Sequence, residues 1–189
     1  VGLFVQQGLA WRNRLFLTGA VRGDDNSAFG KDYSAAYYPK VSASWVLSEE
    51  PLWKDKAGIV GRALGDLRLR GAYGAAGTQP GTFDAARLYT SSTGYQNAAG
   101  LVPSSLGNPQ LKPERSTELE LGFETTILNR RMDLSYTHFG RKVTDAIVNV
   151  PIPPSVGFPG SQVVNIGKLA TWGNELSAND PSAPTVTAT

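Results

Sequence analysis

From Thr117 to Thr137 the chain alternates apolar and polar residues with a period of two, interrupted once by a short polar turn. That pattern restricts it to β-sheet. Thr117, Leu119, Leu121 and Phe123 share one face, with Glu118, Glu120 and Glu124 on the other. After Leu128-Asn129-Arg130-Arg131 the alternation resumes, with Met132, Leu134 and Tyr136 opposing Asp133, Ser135 and Thr137. Two such runs across a tight turn make a β-hairpin. Its apolar side needs either a protein core or lipid, and the period alone does not choose between them.

The same period recurs along the chain. Val1 to Trp11 places Leu3, Val5, Leu9 and Trp11 together, with Gln7 as the exception, and Arg12-Asn13-Arg14 turns the chain. Leu15 to Arg22, Tyr38 to Leu47 and a run from Leu67 to Tyr73 read as further strands, the last dissolving into Gly74-Ala75-Ala76-Gly77. Asp24 to Tyr33 reads as a loop, and Ser48 to Asp66 as a short helical or irregular connector, with Glu49, Glu50 and Pro51 resembling a helix start. Between Thr78 and Pro113 no period survives, which predicts a long loop, either functional or disordered. Closely spaced prolines from Pro151 predict no regular ladder between Val143 and Val164. A last strand is expected over Val164 to Leu176, with a bulge.

Short and long connections therefore alternate, with the Ser48 connector as the one long link on the short side. Outer-membrane barrels have this asymmetry, and Trp11, Trp45, Tyr73 and Tyr136 sit where aromatic girdles would. A soluble secreted β-domain that binds carbohydrate or protein partners is equally compatible with the periodicity. The chain's 189 residues are 41% hydrophobic and 18% charged with a formal charge of +2, which argues against a disordered tail and against a nucleic-acid partner. No run reaches the roughly 18 apolar residues of a membrane helix. Val1 opens no basic region or apolar leader segment, so a signal peptide is expected to lie outside this sequence, as in a piece of a longer protein.

Reactive chemistry finds little support. With no cysteine and one histidine, thiolate metal sites and cysteine nucleophiles are excluded, and no cofactor or metal is expected. His138, beside Tyr136 and Phe139, reads as a girdle or interface residue rather than part of a catalytic triad. Gly71, Gly74 and Gly77 lack dinucleotide-loop spacing, and Asp24, Asp25 and Asn26 fit a solvated loop better than a calcium loop. Glu118, Glu120 and Glu124 repeat at strand period, which suits a wet lumen offset by Arg68 and Arg70 more than an acid–base pair. The expectation is a non-enzymatic protein.

Four stretches resemble the SusC/RagA family of TonB-dependent outer-membrane transporters: RLFLTGAVRGD from Arg14, YYPKVSASWVLSEEP from Tyr37, LRLRGAYGAAGTQ from Leu67 and NPQLKPERSTELELGFE from Asn108. The core from Asn108 to Glu114 is the most specific, and NIGKLATWGNELS from Asn165 is similar to a later family strand. The resemblance implies an antiparallel up-and-down transmembrane β-barrel of about 22 strands with a plugged lumen. Residues 1–177 would supply about seven of those strands, and 178–189, Pro, Ala and Thr rich, an unstructured or truncated tail. It further implies contact with outer-membrane lipid, a SusD-like lipoprotein lid, TonB engaged through a region outside this sequence, and glycan or peptide cargo. The Thr78–Leu106 loop offers Tyr89 and Tyr95 as stacking faces, with Asp84, Arg87 and Asn97 as hydrogen-bonding groups, or else tyrosines that only pack neighbouring loops together.

Overall fold

The computed structural model describes residues 1–25, 35–51, 53, 58, 64–129 and 131–180. Seven strands form one antiparallel sheet: β1 (Gly2–Trp11), β2 (Leu15–Asp24), β3 (Ala36–Val46), β4 (Leu64–Thr78), β7 (Glu114–Ile127), β8 (Met132–Thr144) and β11 (Lys168–Asn179), in that spatial order. Sequence order and spatial order agree, so the chain runs up and down. Two excursions leave the sheet and fold into ribbons of their own, β5 (Leu88–Thr93) with β6 (Ala99–Ser105), and β9 (Ile147–Pro151) with β10 (Ser161–Asn165).

Register converts the alternation into two faces. Trp11, Leu15, Trp45, Leu69, Phe123, Tyr136 and Leu176 are successive cross-strand partners and form one apolar row across the sheet. Along it the Phe123 and Tyr136 rings lie 5.7 Å apart, within the range of a favourable aromatic pair. The residues between those rows point the other way: Lys40, Gly74, Glu118 and Arg141 are likewise successive partners. A one-residue slip anywhere would exchange the faces, so the pairing is strongly specified.

No described residue covers the apolar face. Leu121 is 51% exposed and Trp172 73%, and apart from prolines the buried hydrophobic residues among those described are only Ala36, Tyr38, Ala75 and Leu111. A sheet with one apolar and one charged face and almost no core is what a section of barrel wall looks like when separated from its surroundings.

Tight turns lie at one end. Arg12 and Asn13 (φ 49° and 55°) and Leu128 and Asn129 (φ 54° and 58°) adopt left-handed conformations in the short loops that join the paired residues Trp11 and Leu15, and Ile127 and Met132. The connector begins at the same end with a 3₁₀ turn over Leu47–Glu49, and Pro51, Trp53 and Gly58 are helical; most of its remainder lies outside the described residues. The loop expected from Asp24 to Tyr33 falls largely outside them too.

Several expectations change in detail. β4 continues through Gly74–Gly77 to Thr78, because Glu118, Thr117, Ser116 and Arg115 pair with those residues and the Tyr38 ring fills the space over Gly77. Between Val143 and Val164 there is a ladder after all: Pro151 is at the end of β9, and Pro153 and Pro154 lie in the turn, so no ladder bond is lost to them. The single bulged strand expected over Val164 to Leu176 is two elements, since Gly167 (φ 92°) separates Asn165 of β10 from Lys168 of β11. β11 runs on to Asn179, and residues 181–189 lie outside the description.

Candidate recognition loops and the charged face

At the end opposite the tight turns, the excursions between β4 and β7 and between β8 and β11 meet. Their common anchor is the stretch from Gly107 to Glu114. Gly107 (φ 65°) brings the chain so close to the Ala86 carbonyl that a side chain could not fit. Asn108 then organises a turn, its Oδ1 accepting from the Gln110 amide at 3.1 Å and its carbonyl from the Leu111 amide at 3.1 Å. Leu111 is 0% exposed, and Pro113 is buried. Pro113 also holds Lys112 extended, so the chain enters β7 straight.

Polar side chains tie this anchor to the second ribbon. Asn108 Nδ2 donates to the Val163 carbonyl at 3.1 Å, and Gln162 Nε2 donates to the Gly107 carbonyl. Asn165 Oδ1 accepts from the Lys112 amide at 2.8 Å, while its Nδ2 donates to the carbonyls of Lys112 (2.8 Å) and Asp145 (2.9 Å). The Ile147 amide donates to Glu114 Oε2 at 3.1 Å. The most specific stretch in the sequence, beginning at Asn108, and the family-like stretch beginning at Asn165 thus meet in one knot.

The five candidate binding residues are spread over the first ribbon. Asp84 is half-buried in a turn, its Oδ2 accepting from the Gly81 amide at 2.7 Å and its carbonyl from the Asn108 amide at 2.9 Å. Arg87 and Tyr89 converge on Phe158 of the second ribbon: the guanidinium lies 5.5 Å from that ring's centroid, and Tyr89 meets it edge-on at 5.9 Å. Tyr95 and Asn97 are at the far tip, where Tyr95 is 87% exposed and Gln96 and Asn97 have φ of 55° and 61°. Arg87 and Tyr89 are therefore brought together, whereas Asp84 and the tip pair stand apart. Phe158 and Gln162 escaped sequence reasoning, and Asn165 was legible only as the start of a family-like stretch; a lone aromatic between Gly157 and Pro159 was the only local signal for Phe158.

The charged face carries a second cluster. Arg68 and Arg70 both approach Glu124, at 3.8 and 3.6 Å, and Arg70 also donates to Thr137 Oγ1 across Gly122. Nearby, Arg141 lies 3.9 Å from Glu118 and donates to Ser116 Oγ at 2.9 Å. These groups are about half exposed, so each pair contributes little stability, roughly 0–1 kcal/mol. Glu118 and Arg141, with Lys40 and Glu120, line a hollow of about 380 Å³ with fixed charge of both signs. At the same end as the loops, Arg22 takes Asp24 at 2.8 Å, a cation where a calcium ligand would need to be free.

A seven-stranded wall of this kind has known counterparts. Residues 1–185 match the β-barrel of TonB-dependent receptor-like proteins. The chain belongs to that family. SusC of Bacteroides thetaiotaomicron is 31% identical over 95% of the chain, and TonB-dependent receptor P26 of Formosa agariphila is 30% identical over 96%. The RagAB peptide transporter superposes with a TM-score of 0.80 at 26% identity, covering 95% of the chain. The siderophore receptor PirA of Pseudomonas aeruginosa shares the fold, with a TM-score of 0.62 at 21% identity. The chain spans 18% of the length of SusC and 19% of the RagAB chain. As a TonB-dependent receptor barrel segment, it has the all-β antiparallel architecture expected from the alternation, and its kinship with SusC and RagA follows the motifs at Asn108 and Asn165.

Proposed function

We propose that the parent protein imports glycan or peptide fragments through the outer membrane, energised by TonB, with a SusD-type lipoprotein closing it from above. In this reading it is a transporter and not an enzyme. This chain supplies seven strands of the wall, the apolar row toward outer-membrane lipid and the charged row toward the lumen. The observation that carries the reading is that row from Trp11 to Leu176, uncovered by the described residues on one face and backed by ion pairs on the other, in a member of the receptor family. The likeness to a peptide transporter supports peptides as cargo, while the stacking faces of Tyr89 and Tyr95 suit sugars equally. Recognition is assigned to the loop carrying Asp84, Arg87, Tyr89, Tyr95 and Asn97, because strand side chains are committed to lipid or to the lumen wall. A soluble secreted domain would leave the apolar row in water, and family membership weighs against it. Fractionation of cells expressing the full-length parent tests the proposal: the protein should sediment with outer membranes and leave them only in detergent. Recovery in the soluble fraction would overturn it.

A further inference from the structure

We propose that the β9–β10 ribbon is a positioning element for cargo recognition, with Phe158 holding Arg87 and Tyr89 in their binding orientation. This rests on the reading that the β5–β6 loop contacts cargo. Three observations converge on it. First, the register between β5 and β6 shifts between Leu88 and Tyr89, with Ser104 of β6 as the extra residue, so the ladder is irregular at the root of the ribbon where Arg87 and Tyr89 lie. Second, both of those side chains end on one ring, Arg87 over its face at 5.5 Å and Tyr89 against it at 5.9 Å. Third, the ribbon bearing that ring is fixed at its base by Asn108, Gln162 and Asn165, so Phe158 is held from below. Arg87 and Tyr89 are exposed while Phe158 is half-buried beneath them. The ring therefore meets its neighbours, not the cargo, and reaches cargo through them.

The experiment uses the full-length parent purified in detergent, with the variants Phe158→Ala, Phe158→Tyr and Tyr89→Ala. The probes are a tryptic digest of a denatured protein and a mixture of maltooligosaccharides. Phe158→Ala should weaken binding of whichever probe is retained by about fivefold, matching Tyr89→Ala, with the melting temperature unchanged. Phe158→Tyr, which keeps the ring, should restore it. A ligand-independent arm follows amide hydrogen exchange over residues 88–105, which Phe158→Ala should accelerate. Unchanged exchange overturns the inference. Normal binding by Phe158→Ala with impaired binding by Tyr89→Ala also overturns it but leaves the loop in the binding site. Normal binding by both removes the loop as well. A loss shared by Phe158→Tyr and accompanied by a lower melting temperature would make Phe158 a structural residue only.

Discussion

Asn165 and Lys112 grip each other in both directions. The Lys112 amide donates to Asn165 Oδ1 and Asn165 Nδ2 donates to the Lys112 carbonyl, each at 2.8 Å, so one side chain imitates a strand partner for one residue of backbone. The contact joins the ribbon after β8 to the entry of β7. It makes the Asn108–Glu114 motif a device for starting a strand.

Replacing Asn165 with Ala should leave the Lys112 amide and carbonyl without their side-chain partner and destabilise the barrel by roughly 1–3 kcal/mol. Leu111→Ala, in the most buried position described, should cost about 2–5 kcal/mol. Heat-dependent mobility of the full-length barrel on gels measures both. Cargo affinity of the fraction that assembles should stay normal for Leu111→Ala; a variant that assembles at wild-type levels and fails only in binding would contradict the strand-entry role.

Tyr38 is 3% exposed and lies where a side chain at Gly77 would have to go. Gly77→Val should therefore expel the ring and destabilise the barrel by about 1–3 kcal/mol. In combination with Tyr38→Ala the cost of Gly77→Val should shrink, because the obstruction is gone. Additive costs in a double-mutant cycle of thermal unfolding would show that the two do not share this space.

The wall was legible because its information is local: each strand needs only alternation, and Leu119, Leu121 and Phe123 declare their face without reference to any partner. What was hidden depends on distant contacts. Gly74–Gly77 looks like the end of a strand until Tyr38 covers Gly77 and β7 pairs with it. Pro151, Pro153 and Pro154 look like strand breakers, yet sit at the end of a ribbon and in its turn. The loop proposed for recognition shows the same limit. Tyr89 reads from the sequence as a stacking face, but nothing near it in sequence announces Phe158, and Asp84 is engaged in a turn that composition alone does not specify.

Deleting Thr90 to Ala99 removes Tyr95, Asn97 and most of the ribbon while leaving Phe158 and the Asn108 knot in place. Provided outer-membrane levels match the wild type, cargo affinity and uptake should fall by at least about tenfold, as expected when an exposed aromatic anchor, Tyr95, and the pairing of β5 with β6 are lost together. Unchanged affinity and uptake would return recognition to the plug, the other loops or the lid.

The face assignment is tested most directly by a pair of neighbours, Glu120 and Leu121, whose side chains point to opposite sides of β7. The full-length barrel, refolded into phospholipid vesicles, is titrated with denaturant. Leu121→Arg should cost about 2–4 kcal/mol if the position lies near the bilayer midplane, while Glu120→Gln should cost little. Equal tolerance at the two positions would contradict a lipid-facing apolar row.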